Sequence, residues 1–199
     1  MSVIRAFIAI SLSAEIHHSL NQVLSSLKSR LVGAPLRWVP ASSIHLTLKF
    51  LGDVSLSNQQ LIVKMLDSEA GRHAPFELSI GELGFFPSIN RPRIIWVGVE
   101  APQELFALQH GIDVETSRLG YPSEDRPYSP HLTLGRVSRN VGMNDFRQIS
   151  DGIGKVKVGF LGALRVQNVD LFKSDLKSEG AVYTRIYRAT LGNGLKDSH

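Results

Sequence analysis

Two closely packed α+β lobes built on antiparallel sheets are what this 199-residue chain predicts. Three observations carry that reading. Amphipathic helical stretches alternate with short β-rich runs both before and after about residue 100. The third of the chain beyond residue 155 is rich in strand-like runs joined by glycine or short polar turns, which suits antiparallel sheets better than a doubly wound parallel one. No low-complexity or linker-like stretch separates the two parts, and 43% hydrophobic with 20% charged residues is the balance of an ordinary globular core.

Val3 to Ile10 reads as a strand. Ser13 then caps a helix whose Ile16, Leu20, Val23, Leu24, Leu27 and Leu31 recur at helical spacing until Gly33. Ile44 to Leu51 is a second strand. Ser57 is the expected cap of a second helix with Leu61, Met65 and Leu66 on its face, followed by extended runs at Phe76 to Phe86 and Ile94 to Val99. Pro102 suits the first turn of a third helix carrying Leu105, Leu108, Ile112 and Leu119, which Gly120 ends. A proline-rich loop spans Tyr121 to Pro130. Beyond it come a short helix near Asp145 to Ser150 and extended runs near Val156 to Phe160, Leu164 to Phe172 and Ala181 to Leu191.

Composition removes several function classes. The chain has no cysteine, which excludes disulfide frameworks, thiolate metal sites and cysteine nucleophiles. No segment reaches the ~20 apolar residues of a membrane span, and the short apolar run after Arg5 is broken by serines too early for a secretory leader, so a cytoplasmic protein without membrane contact is expected. With 22 basic against 18 acidic residues the net charge is +4, a mild surplus with no Lys/Arg run. There is no G-x-S-x-G elbow, P-loop or G-x-G-x-x-G.

The word His-Leu-Thr-Leu occurs twice, as His45-Leu46-Thr47-Leu48 and His131-Leu132-Thr133-Leu134. Composition alone predicts on the order of 0.003 copies, so the repeat reflects internal duplication or shared chemistry. Alternate side chains on a strand share a face, so His45 and Thr47 stand on one side about 7 Å apart while Leu46 and Leu48 anchor the other. His131 and Thr133 repeat the arrangement. Two such strands facing each other bring two imidazoles and two hydroxyls around a space the size of one tetrahedral anion.

That set suits phosphodiester hydrolysis without a metal. One imidazole, neutral, takes a proton from water while its twin, charged, gives one to the leaving oxygen. The hydroxyls donate to non-bridging oxygens as charge develops. Either copy alone would read as a half-exposed polar strand face; duplication reverses that. Neither motif brings a nearby carboxylate or third histidine, so no metal and no cofactor are expected. His17, His18, His73, His110 and His199 read as solvated or capping residues.

The paired motifs and their flanks resemble the 2H phosphoesterase superfamily, in its branch of RNA 2′,3′-cyclic phosphodiesterases, also called 2′-5′ RNA ligase-like or LigT-like. The flanks are Arg5-Ala6-Phe7-Ile8-Ala9-Ile10, Arg37-Trp38-Val39-Pro40, Lys49-Phe50-Leu51-Gly52, Phe86-Pro87, Pro92-Arg93, Trp96-Val97-Gly98, Gly135-Arg136 and Leu171-Phe172-Lys173-Ser174. The resemblance implies a single bilobal domain over residues 1–199, with two pseudo-symmetric lobes of antiparallel sheet, helices packed outside and a cleft between them. It implies one motif per half, the halves dividing near residue 100. The implied reaction opens a 2′,3′-cyclic phosphate at an RNA end, or on a small cyclic nucleotide, to a 2′-phosphomonoester. His45 would be proton donor, His131 proton acceptor, and Thr47 and Thr133 phosphate ligands.

Phe50 and Arg136 stand five residues after each histidine, and the resemblance implies base stacking for the ring and a phosphate grip for the guanidinium. Strand parity alone puts both on the opposite face unless a bulge intervenes, leaving a buried Phe50 and a structural Arg136 as the alternative. Lys49 has the parity for the cleft, and Tyr128 precedes His131 within reach of a base. Two other functions stay open: joining or cleaving 2′,5′-linked RNA as the main activity, and a non-catalytic module that binds RNA ends. A monomer is expected.

Overall fold

The computed structural model describes residues 3–177 and 180–192. Four helices and nine strands follow in order: β1 (Val3–Ile10), α1 (Ala14–Arg30), β2 (Leu36–Trp38), a 3-10 turn (Ala41–Ser43), β3 (Leu46–Ser55), α2 (Leu56–Gly71), β4 (Phe76–Phe86), β5 (Ile94–Glu100), α3 (Gln103–Arg118), β6 (His131–Val137), α4 (Met143–Gly154), β7 (Phe160–Val166), β8 (Asn168–Lys177) and β9 (Gly180–Thr190). None of these helices is long and apolar enough to cross a membrane.

Helix α1 forms as its spacing predicts. The Ser13 hydroxyl accepts from the Ile16 amide at 3.3 Å, and Ile16, Leu20, Val23, Leu24 and Leu27 make the buried stripe. Helix α2 starts two residues earlier than expected because Ser55, not Ser57, supplies the cap. Its buried stripe is accordingly Ile62, Leu66 and Ala70, and Leu61 is left 47% exposed. In α3 the stripe ends on Thr116 rather than Leu119, the Thr116 hydroxyl donating to the Ile112 carbonyl inside the core. The late strands are also displaced: residues 156–159 belong to no strand, and the run read as Leu164 to Phe172 is divided at Gln167 between β7 and β8.

The strands form two antiparallel sheets, ordered β3-β1-β8-β9 and β2-β6-β5-β4-β7. Each sheet draws strands from both sides of residue 100, so the chain crosses repeatedly between them. The two motifs thereby fall on different sheets, β3 at the edge of one and β6 one strand in from the edge of the other. Helix α2 lies against β3, β8, β9 and α3, while α1 lies against β7 and α4. At the α2–α3 crossing the Glu69 carboxylate occupies the space a Cβ on Gly111 would need, so a larger residue there would have to displace that side chain. Inner sheet faces and helix stripes bury one continuous apolar core, with Ile8, Leu46, Ile95, Leu132, Leu134 and Leu171 at its centre.

Candidate active site

Both motif strands carry the same irregularity at the same place. In the β1–β3 ladder Thr47 stands opposite Ala9 and Lys49 opposite Ile8, so Leu48 is an extra, unpaired residue. In the β5–β6 ladder Thr133 stands opposite Trp96 and Gly135 opposite Ile95, which makes Leu134 the extra one. An extra residue reverses the alternation of faces beyond it. Residues 46–51 and 132–137 consequently share one burial sequence, with Lys49 and Gly135 turned inward and Phe50 and Arg136 exposed. The parity objection to Phe50 and Arg136 is removed by these bulges: both return to the face of the preceding histidine and threonine, Phe50 at 60% exposure.

The same reversal corrects the expectation for Lys49. Its side chain is 2% exposed and its ammonium bonds Asp113 of α3 at 2.5 Å and the Pro122 carbonyl at 2.6 Å, so it faces the core and not the cleft. Burial pushes the Asp113 carboxyl up, but hydrogen bonds from Lys49 and Ser123 and the Lys49 charge outweigh this and hold it below its ordinary value. At the equivalent position a Cβ on Gly135 would lie 2.8 Å from the Trp38 ring, so glycine lets the indole cover the strand. Tyr128 is likewise not a free stacking platform. Its half-buried hydroxyl donates to the Thr47 carbonyl at 3.0 Å, tying the loop that delivers the second motif directly to the strand of the first. Burial raises its phenol well above the ordinary value, so it stays a donor.

The two imidazoles are held in the same way. Nδ1 of His45 lies 3.0 Å from the Ser43 carbonyl and Nδ1 of His131 lies 2.7 Å from the Ser129 carbonyl. A carbonyl only accepts, so each Nδ1 carries the proton and each Nε2 is left as the atom for chemistry. Their surroundings differ. His45 stacks on Phe7 (centroids 4.5 Å apart, 23° between planes) and on Phe172 (5.8 Å), with Tyr183 edge-on at 5.1 Å. His131 meets the edge of Phe86 at 5.1 Å and Trp96 at 6.2 Å. Burial among the aromatic rings lowers the His45 pKa from 6.5 to about 4; the Ser43 carbonyl opposes that shift and the charge of His17 adds to it. In the free protein at neutral pH His45 is therefore uncharged.

A cleft of about 830 Å³ opens beside His45, with Ser11, Arg37, Arg136, Phe172 and Tyr183 among its walls. His17, expected to be incidental, bonds the Ala41 carbonyl through Nδ1 at 2.8 Å and faces this cleft. Phe7, Phe172 and Tyr183 were not singled out by sequence reasoning; strand alternation puts Phe7 opposite Phe50 and Phe172, and that pairing follows only from the sheet order. Among the described residues no three or more His, Asp or Glu side chains gather as a metal-binding group. His199 lies outside the described residues.

A histidine–threonine pair repeated on two antiparallel sheets, the strand of the first tied to the loop of the second by Tyr128, is the pattern of a two-histidine phosphoesterase. Two consecutive stretches of the chain, residues 10–96 and 97–183, each match the family described as LigT like Phosphoesterase, and each contains one motif. The chain belongs to that family. It is 34% identical to the RNA 2′,3′-cyclic phosphodiesterase of Methanothermobacter thermautotrophicus over 181 residues, 91% of this chain and 95% of the relative. Against the protein of the same name from Aquifex aeolicus it is 27% identical, covering 96% of this chain and 100% of the relative. Among solved structures it resembles a Thermus thermophilus protein with a TM-score of 0.77 at 26% identity, covering 94% and 98% of the two chains. Escherichia coli LigT complexed with 3′-AMP matches with a TM-score of 0.74 at 26% identity, covering 96% and 99%.

Proposed function

We propose that this protein hydrolyses the 2′,3′-cyclic phosphate at an RNA end to a 2′-phosphomonoester, using His45 and His131 as a paired acid and base. The observation that carries the reading is the duplicated half-site, in which each Nδ1–H is anchored to the carbonyl two residues back so that both Nε2 atoms are free for proton transfer. Relatives that match over nearly the whole chain carry the name RNA 2′,3′-cyclic phosphodiesterase, which supports the cyclic phosphate as substrate.

In the proposed step His131 Nε2 takes a proton from water as its oxygen bonds to phosphorus. The bond from phosphorus to the 3′-oxygen breaks, and that oxygen receives a proton from His45 Nε2. The product is a 3′-hydroxyl beside a 2′-phosphate, and the extra proton on His131 leaves to solvent while His45 recovers one. Thr47 and Thr133 donate to the non-bridging oxygens, where charge grows in the transition state. Arg136 grips the phosphate, and Phe50 offers its exposed ring to a base. Because the free His45 ring is neutral, it collects its proton as the phosphate anion arrives: a negative charge in a water-poor site offsets the burial that keeps the ring uncharged.

The direct test is to incubate the protein with a 2′,3′-cyclic-phosphate-terminated oligonucleotide in EDTA and locate the new monoester by phosphorus NMR. A 2′-phosphate is expected. A 3′-phosphate, no product, or activity lost to chelator and restored by a divalent metal overturns the proposal.

A further inference from the structure

We propose that the groove beside His45 is a strand-binding site in which Arg37 holds the phosphodiester preceding the terminal cyclic phosphate, so that RNA ends of two or more nucleotides are preferred over mononucleotides. This deepens the proposed function and rests on it.

The first support is a like-charge pair. Arg37 of β2 stands in register directly opposite Arg136 of β6, both exposed on one face of the sheet. Directly opposed residues in an antiparallel ladder have Cβ atoms about 4.5–5.5 Å apart, where like charges destabilise the pair. Among the described residues neither guanidinium has a carboxylate within salt-bridge distance. Two guanidinia kept side by side in a cleft, with no carboxylate on either among the described residues, are an arrangement that bound anions relieve.

The second is the charge and reach of the groove. Arg37, Arg136, Lys177 and Arg185 line it, and no Asp or Glu stands among its described lining residues. Asp170, behind the wall, lies 3.9 Å from Arg185 and is also bonded by Arg188 at 2.7 Å. A cyclic phosphate end carries a single negative charge, which Arg136 alone can balance. Arg37 reaches across the groove, its Nη2 lying 3.4 Å from where a Cβ on Gly180 of β9 would stand. The next phosphate along a strand is the anion that this second guanidinium fits; a mononucleotide brings none.

The experiment compares kcat/KM for 2′,3′-cyclic AMP with that for a tetranucleotide ending in the same cyclic phosphate, in the wild type, Arg37→Gln and Arg37→Lys. We expect the wild type to favour the tetranucleotide by about tenfold or more at low salt, with the preference shrinking as salt rises. Arg37→Gln should cut that ratio about tenfold, the scale of one charge-assisted hydrogen bond, and Arg37→Lys should restore part of it. Equal kcat/KM for both substrates in the wild type, or a ratio unchanged by Arg37→Gln, overturns the proposal. So does a parallel fall on both substrates, which would make Arg37 a part of the fold or of the reacting centre. Calorimetric titration with the 2′-phosphate tetranucleotide and with 2′-AMP reads the same Arg37 dependence without turnover. If the wild type cleaves neither substrate the proposed reaction fails, while this titration still decides whether Arg37 holds a second phosphate.

Discussion

The two half-sites share a four-residue word, a bulge on its last leucine and an Nδ1 bond to the carbonyl two residues before the histidine, yet nearly everything around them differs. His45 is packed among Phe7, Phe172 and Tyr183; His131 meets Phe86 edge-on and Trp96 at a tilt, with neither ring stacked on it. One position past the bulge stands Lys49 in one copy and Gly135 in the other, and two past it stand Phe50 and Arg136. Common to both are the motif, the bulge and the anchor that leaves each Nε2 outward. What differs is the packing around each ring and the side chains that follow each bulge, so the two halves are not interchangeable.

The largest expected effect breaks both halves alike. His45→Ala and His131→Ala should each lower kcat by about 10² to 10⁴, the usual worth of a general acid or base. Because they serve one transition state, the double variant should be much less impaired than the product of the two losses. Steady-state kinetics on a cyclic-phosphate oligonucleotide reads this, and a variant retaining a third of wild-type kcat would remove its histidine from the reaction.

Next in size is the contrast between Lys49 and Gly135. Lys49→Ala leaves Asp113 without its partner in a largely buried site, and breaking such a pair costs about 3–5 kcal/mol. Thermal melts should show a large fall in Tm, while KM for the cyclic phosphate holds because Lys49 faces away from the cleft. Pairing Lys49→Met with Asp113→Leu should recover most of the lost stability. A raised KM with an unchanged Tm would return Lys49 to the cleft.

These contrasts also mark how far sequence reasoning reaches. The α1 stripe, most of the α3 stripe, the strand-rich third after residue 155, the duplicated motif and the two inward leucines in each copy follow from periodicity and repetition, whereas the α2 stripe shifted with its cap. Lys49 was misplaced because parity counting assumes an unbroken ladder, and a bulge is a property of two strands together: the extra residues at Leu48 and Leu134 exist only relative to β1 and β5. The aromatic walls of His45 come from β1, β8 and β9, far apart in sequence and adjacent only through the strand order. Ser55 took the cap from Ser57 because β3 runs straight into α2 with no loop.

The burial of His45 gives the third prediction. In the unfolded chain the ring titrates near 6.5 and in the folded protein near 4, so between those values the unfolded state binds the extra proton. Stability is thus full above pH 6.5 and falls as pH drops toward 4, by at most about 3 kcal/mol from this ring. His45→Phe keeps the stack and removes the titration, so its melts should depend less steeply on pH than those of the wild type over that window. The same shift predicts that binding the 2′-phosphate product near pH 7 takes up a proton, visible as a calorimetric enthalpy that varies with buffer ionisation. Parallel pH curves for the two proteins, or proton release on binding, would deny that burial holds this ring neutral.

Phe50 and Arg136 sharpen the comparison at the smallest scale. Arg136→Gln removes a charged grip on an anion common to every substrate, so kcat/KM should fall by about ten- to a hundredfold whatever base precedes the cyclic phosphate. Phe50→Ala removes a stacking surface worth about 1–3 kcal/mol by alanine substitution, and stacking strength depends on the base. Its loss should therefore be greater for a terminal purine than for a terminal pyrimidine, and should show mainly in KM. Measuring both variants on substrates ending in adenosine and uridine separates the roles, because a grip on phosphate leaves the purine-to-pyrimidine ratio unchanged and a stacking platform alters it. If Phe50→Ala lowers both substrates equally while Arg136→Gln shifts the ratio, the division of recognition between the halves runs the other way, with the guanidinium plane as the stacking surface.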